Sequence, residues 1–487
     1  MKNITKKIFL NAIVCPTLGW LLRSGQSVEE LTGQGPTLGE QFRIEQGAEV
    51  HKRARQLYPD GVLVDPGDLR GAISETESLM ANSDISIIYE SAFNVDDYIA
   101  KADIIRRLTD GWHLLEVKSS ANDKDEFIDD MAYTTMVIKR RGFEVRSISL
   151  VLILKDYRLG MDDRELFVEI NHTEDVLERV VQFEPFWDVV NQLTTASIQP
   201  DPSLKKECKE CPIFDQCLGS GIENHIFDIP RLHQTKFDRL KELGIVRIED
   251  IPGDFPLTDN QAKVRDCVVA GQPYISSQLK NDLDAITWPA FYLDFETVMT
   301  AIPLYIDIAP YTQLPTQYSI HQYANMRDLI EYREYLADPS RDCRKEFAEN
   351  LIRDLGSNGS IVVYSNFEKN IIDKLGQLYP DLTEELNSLI ERIVDLEAII
   401  KRNFYHPDFH GSTSIKCTLP ALVPGMSYEG LEIADGDSAS ATFAFMAWGR
   451  YTDEEIERVK KNLFEYCGQD TLAMVKLHQK LYEFVNI

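Results

Sequence analysis

"IAKADIIRRLTDGWHLLEVKSS", residues 99–120, decides how the first half of the chain is read. Two apolar runs flank Asp110-Gly111, a dipeptide that favours the two-residue turn of a β-hairpin. With that turn the arms pair so that Asp103 faces Lys118 directly, and Glu116 lies on the same side of the pleat. Two carboxylates and a lysine then converge on one sheet face. Such carboxylates repel unless a cation sits between them, and a nearby lysine can orient water or stabilise charge in a phosphodiester displacement. A surface ladder of salt bridges is the competing reading, and the hairpin alone leaves both open.

Working outward, "QGAEVH" (46–51) supplies Gly47 and His51 upstream, and "IYESAF" (88–93) carries Glu90. The pattern D-x12-E-x-K with an upstream G-x3-H resembles the PD-(D/E)xK nucleases, more narrowly their RecB-like branch. The resemblance implies that His51, Asp103, Glu116 and the carbonyl of Val117 hold a divalent metal, with Lys118 as the catalytic lysine. That branch usually has Q-x3-Y on a later helix; here "DDMAY" (129–133) offers Tyr133, with Asp129 in the glutamine position.

"CKECPIFDQC" (208–217) packs three of the eight cysteines into ten residues. A disulfide leaves one thiol over, and C-x2-C spacing suits a metal, but zinc and four-iron clusters usually take four ligands. An iron-sulfur subgroup of RecB-like nucleases carries one cysteine before the nuclease core and C-x2-C-x5-C after it. The resemblance thus implies that Cys15, Cys208, Cys211 and Cys217 bind a [4Fe-4S] cluster, closing a loop of about 190 residues. Zinc is the alternative. Cys267, Cys343, Cys417 and Cys467 show no ligand spacing and read as ordinary thiols.

The second half restarts at "AFYLDFETVM" (290–299), where Phe291, Leu293 and Phe295 alternate with Tyr292, Asp294 and Glu296. One face enters a core and two acids share the other. A late helix opens with a Thr452/Glu455 capping box, and its apolar stripe (Leu463, Tyr466, Cys467, Met474, Leu477, Leu481) contains Asp470. A carboxylate on a core-facing stripe needs a partner, and Asp294 and Glu296 with a metal would provide one. D-x-E followed by Y-x3-D resembles the DEDDy 3′–5′ exonucleases of the ribonuclease-H-like superfamily. That resemblance implies metal binding by Asp294, Glu296 and Asp470, water activation by Tyr466, and a further acid at Glu368 in "IVVYSNFEKNII" (361–372), where aspartate is more usual. Asp395 reads as a helix-start residue. With "PYTQLPTQYSIHQ" (310–322), the chain resembles an uncharacterised bacterial family fusing the two nuclease types.

The expected class is α/β: a restriction-endonuclease-like domain at 1–220, a helical linker at 221–285 and a ribonuclease-H-like domain at 286–487. In the linker, "FDRLKELGIVRIEDIP" (237–252) suggests a helical hairpin around Gly244. The net charge of −28 argues against general coating of nucleic acid. It permits acidic nucleases in which Mg2+ or Mn2+ supplies charge at the phosphate. Local basic stretches occur at 139–146, 231–242 and 401–406. The start of the chain lacks a small-x-small cleavage site and reads as folded protein, and no run of eighteen apolar residues suggests a membrane span, so a cytoplasmic address is expected. DNA or RNA is the expected substrate. With no G-x4-G-K-[ST] in the sequence, a helicase would be a separate partner. The alternative is a nucleic-acid-binding or regulatory module with one or both sites inactive.

Overall fold

The computed structural model describes residues 2–486 except 27–29, 31, 32, 34 and 66. The chain is mixed α/β and divides into two units: residues 1–220 with 299–312, and residues 221–298 with 313–487. The stretch 221–285 therefore groups with the second unit, and a short segment from the second half belongs to the first. No helix among the described residues is long and apolar enough to cross a membrane.

Unit 1 is built on a six-stranded sheet in sequential order. Its strands are β1 (Val62–Leu63), β2 (Ile87–Val95), β3 (Tyr98–Leu108), β4 (Gly111–Val117), β5 (Val145–Ile153) and β6 (Phe167–Asn171). β2, β3 and β4 run antiparallel, whereas β4 and β5 are parallel and joined through a helix. The helices are α1 (Lys6–Val14), α2 (Pro16–Ser24), α3 (Leu38–Ala54), α4 (Leu69–Ala81), α5 (Asp125–Arg140), α6 (Thr173–Phe183) and α7 (Phe186–Thr195). α1 and α5 share one core with Phe93, Tyr98, Leu114 and Leu150. The opposite face packs Val50 of α3 with Ile104, Leu115, Val117, Ala301 and Ile302. Ala301 donates its N–H to Gln46 Oε1 at 2.5 Å, and the Tyr311 and Ser119 hydroxyls lie 3.2 Å apart.

The β3–β4 hairpin forms, with a different register from the one expected. Leu108 pairs with Gly111 and Ile104 with Leu115, so the turn is Thr109-Asp110, and Asp103 comes opposite Glu116 rather than Lys118. Gly111 is not a turn centre. A Cβ there would stand 2.6 Å from the Glu144 carbonyl, which accepts the Trp112 N–H at 2.8 Å, so glycine serves the close approach of the strand to the chain entering β5. The shift is two residues, so the three side chains keep the face expected of them.

Unit 2 has a five-stranded sheet in the order β10-β9-β8-β11-β12. The strands are β8 (Ala290–Val298), β9 (Leu314–Tyr323), β10 (Leu329–Leu336), β11 (Ile361–Val363) and β12 (Ile393–Asp395); β7 (Tyr274–Ile275) pairs separately with β13 (Phe404–Tyr405). Helices α8 (Gln234–Glu242) and α9 (Asp259–Ala270) precede the sheet. α10 (Arg344–Leu355), α11 (Phe367–Leu378), α12 (Leu396–Asn403), α13 (Ile415–Leu422), α14 (Gly436–Ala447) and α15 (Asp453–Val485) follow. β8 is central, and both of its faces are covered. Phe291, Leu293 and Phe295 meet α10 and α11, while Tyr292, on the face of the two acids, is buried and hydrogen-bonds His478 Nδ1 at 2.8 Å. The expected helical hairpin at 237–252 is also corrected. After α8 the chain turns at Gly244 (φ 70°), and residues 245–248 run alongside 224–226 before a single 3₁₀ turn. Two of the basic stretches, 139–146 and 401–406, are partly neutralised locally: Arg140 pairs with Glu184, Arg141 with Glu77, and Arg402 with Asp282.

Replacing Gly111 by alanine should force the hairpin off the Glu144 carbonyl and cost about 1–3 kcal/mol. Urea unfolding followed by tryptophan fluorescence measures it, and an unchanged midpoint would show that the close approach carries no weight.

Candidate metal centres

In unit 1, three adjacent strands place a carboxylate side by side. Glu90 lies between residues of β2 that pair with Ile104 and Ala102, and so comes across from Asp103, as Glu116 does on the other side. Glu90 adopts φ 54°, a left-handed conformation that costs a residue with a side chain about 1–3 kcal/mol and typically marks a site where orientation matters. His51, on the last turn of α3, brings Nδ1 to 3.7 Å from Glu90 Oε1 and 3.8 Å from Asp103 Oδ1. One ligand atom from each of His51, Glu90 and Asp103 can be chosen so that all lie within 4.8 Å of one another, close enough for a shared ion. Glu90, which the sequence pattern left without a role, thus belongs to this group.

Glu116 is held differently. Its Oε1 accepts from Lys118 at 2.9 Å and from Lys6 at 3.0 Å, while Oε2 is buried with no hydrogen-bond partner. Lys118 also pairs with Asp130, and Lys6 lies 3.3 Å from it. Burial alone would raise the Glu116 carboxyl, but the charges of Lys118 and Lys6 outweigh it and hold the group at about 2. Asp103 moves the other way, to about 7, because burial and the nearby Glu116 charge both disfavour its ionised form. Its Oδ2 accepts the Val117 N–H at 2.7 Å, which fixes the carboxylate at the end of the β4 strand. Burial lowers His51, yet the Glu90 hydrogen bond and the charges of Asp103, Glu90 and Glu116 leave it raised overall. Lys6 and Asp130 had no sequence signal of their own. Asp129 lies outside the site, paired with Arg179 at 2.6 Å, and the Tyr133 hydroxyl is spent on the carbonyls of Ile4 (2.7 Å) and Ile99 (2.8 Å).

The two ends of unit 1 meet at the cysteines. Cys15 caps α2, accepting the Leu18 N–H, and Cys208, Cys211 and Cys217 follow successive tight turns. Lys205 Nζ donates to the Val14 carbonyl at 2.6 Å, Thr17 Oγ1 to Pro200 at 3.0 Å, and Trp20 Nε1 to Ala196 at 2.8 Å. Burial raises Cys211, and the charges of Cys15, Cys208 and Cys217 add to it, so all four thiols share one neighbourhood. Among the described residues, no three of these sulfurs lie mutually within 4.8 Å.

In unit 2, Asp294 and Glu296 of β8 meet Asp470 of α15, again with ligand atoms within 4.8 Å. The Thr452/Glu455 capping box opens α15, and Leu463, Tyr466, Cys467, Met474, Leu477 and Leu481 are all buried along it. Burial raises Asp294 and Glu296 well above the usual carboxylate range; Asp470, Glu368 and, for Asp294, Glu296 add to the effect. Asp470, raised by burial to about 6, accepts from the Tyr428 and Tyr466 hydroxyls and feels Lys416. Glu368, in the first turn of α11, is raised by burial to about 8; it accepts from backbone amides of Phe295 and of its own residue, and its Oε2 has no partner. Asp395 caps α12 by accepting the Ala398 N–H at 2.9 Å. Lys416, Tyr428 and Asp435, the N-cap of α14, sit in loop or short-helix sequence that offered no periodicity to mark them.

Residues 291–414 match a family described as "Domain of unknown function (DUF2779)". That span includes Asp294, Glu296 and Glu368 and stops short of Tyr466 and Asp470. The chain is also similar to "Uncharacterized protein MG366" of Mycoplasma genitalium, 25% identical over 222 residues, covering 42% of this chain and 33% of that protein. The "Uncharacterized protein MG366 homolog" of Mycoplasma pneumoniae is 23% identical over 214 residues, covering 40% and 32%. The chain thus spans about a third of the length of these curated relatives.

The unit 2 carboxylates give a stability signature. Glu368 has an ordinary value near 4.5 once unfolded and about 8 when folded. Between those pH values the folded chain keeps a proton that the unfolded chain has released, so metal-free stability should fall as pH rises through the window. Glu368→Gln should flatten this slope and raise the metal-free melting temperature at pH 8, read by differential scanning calorimetry in EDTA. A variant with unchanged slope would show that Glu368 ionises freely.

Proposed function

We propose that the protein is a divalent-metal-dependent nuclease with two candidate sites, a RecB-like PD-(D/E)xK site in unit 1 and a DEDDy-like exonuclease site in unit 2. The observation that carries this reading is the pair of partly buried acidic groups, each assembled from separate elements of a sheet and a helix. Each places a further polar group beside the carboxylates, Lys118 in unit 1 and Tyr466 in unit 2. Carboxylates gathered this closely away from water need a cation or retained protons to offset their repulsion, and a divalent ion meets that need at both sites.

In unit 1, His51, Glu90, Asp103 and Glu116 would hold Mg2+ or Mn2+, and Lys118 would add positive charge beside a phosphate. In unit 2, Asp294, Glu296 and Asp470 would hold the metal, and the Tyr466 hydroxyl would position the attacking water. Metal bound at these residues would supply Lewis-acid charge to the reacting phosphate. The substrate would be DNA or RNA, cut from an end, with any unwinding by a separate helicase.

Cys15, Cys208, Cys211 and Cys217, which share one neighbourhood, would hold a [4Fe-4S] cluster with one cysteine on each iron, and zinc is the alternative.

Binding without cleavage is the second reading. It is favoured by Tyr428 occupying Asp470 Oδ1 and by Lys118 being shared between Glu116 and Asp130.

Glu116→Ala and Asp294→Ala, tested singly and together with Mn2+ on single- and double-stranded DNA and RNA, should each remove at least a hundredfold of one activity, and the double variant should be inert. Full activity in both single variants would refute the site assignments, and tight binding with no cleavage by the native protein would favour the second reading. Anaerobic purification should give a brown protein with about four irons per chain. Cys15→Ser should then lower the melting transition of unit 1 and leave that of unit 2 in place; zinc without iron would overturn the cluster.

A further inference from the structure

We propose that Lys6 is a positioning residue of the unit 1 metal site, gripping Glu116 by Oε1 so that Oε2 is the oxygen offered to a divalent ion. This rests on the metal-dependent reading of that site.

Lys6 is delivered there by a chain of fixed contacts. Ile4 is fully buried and bridges the start of β3: its N–H donates to Asp97 O at 2.8 Å, and its carbonyl accepts from Ile99 N at 2.9 Å and from the Tyr133 hydroxyl at 2.7 Å. Thr5 then caps α1, and Lys6 is the first residue of that helix. From this anchored position its ammonium reaches Glu116 Oε1 at 3.0 Å and Asp130 at 3.3 Å.

An ordinary surface ion pair joins two exposed groups and does little. Here the carboxylate is almost completely buried, with its side chain 4% exposed, and two ammonium groups converge on the same oxygen. The other oxygen is also buried and has no partner, an arrangement expected of a ligand oxygen awaiting a cation. Lys6, Lys118, Glu116 and Asp130 balance two positive charges against two negative ones. Without Lys6, Lys118 alone would have to neutralise both acids, and Glu116 could rotate about its terminal bond. Residues that orient a metal ligand in this way typically change metal affinity ten- to a hundredfold when replaced.

The test is a calorimetric titration of the full-length protein with Mn2+, in an Asp294→Asn background that silences the unit 2 site. Lys6→Met should weaken Mn2+ binding about tenfold or more and raise the Mn2+ concentration needed for half-maximal cleavage, with a smaller change in the rate at saturating Mn2+. Lys6→Arg should recover most of the affinity. Should the methionine variant fail to fold, Lys6→Gln carries the same expectation. Unchanged affinity in Lys6→Met, alongside clear loss in Glu116→Gln, overturns the role given to Lys6. Tighter binding overturns it too, making Lys6 a competitor for Glu116. No change in Glu116→Gln would instead refute the metal reading of the site on which the inference stands.

Discussion

The constraint on which both units depend is the cost of keeping several carboxylates of like charge together out of water. Desolvation penalises each charged group, and mutual repulsion penalises the set, so the fold must compensate or the groups must take up protons. The two units meet this demand in different ways.

Unit 1 uses cations. Lys6 and Lys118 hold Glu116 ionised and share Asp130 between them, while His51 lies against Glu90 and Asp103. The cations come from distant parts of the chain, so the site requires the whole unit to be closed. α1 has Lys6 at its first position and is followed directly by Cys15, so one short helix connects the acidic site to the cysteine neighbourhood. Unit 2 relies on hydroxyls, backbone amides and retained protons. Tyr428 and Tyr466 donate to Asp470, two amides donate to Glu368, and burial leaves Asp294 and Glu296 far more reluctant to ionise than free carboxyls. The first site is nearly balanced before any ion arrives, whereas the second should respond strongly to pH and to added metal.

The hairpin at 99–120 shows how local signals succeed and fail. Period-two alternation put Asp103, Glu116 and Lys118 on one face, and that face survives because the register error was an even number of residues. The Asp-Gly signal misplaced the turn, because Gly111 answers to a neighbouring strand that a local reading cannot see. In the same way, alternation in β8 correctly separated Phe291, Leu293 and Phe295 from Asp294 and Glu296. Alternation alone does not reveal that a helix covers the polar side; that came from Asp470 on the core-facing stripe of the late helix, which called for a partner there.

By itself the sequence determined the mixed α/β character, the two acidic strands, the helix that carries Tyr466 and Asp470, and the spacing of the four cysteines. These are local patterns with a period of two or about 3.6 residues, or fixed ligand intervals, and each is legible in a short window. Only the tertiary structure decided that Glu90 joins His51 and Asp103, that Lys6 and Asp130 flank Glu116, and that Tyr428 reaches Asp470. It also placed residues 299–312 in the first unit rather than the second. Those partners lie far apart in the chain and bear no periodic mark, because what brings them together is the electrostatic demand of buried carboxylates, which exists only once the sheets are covered.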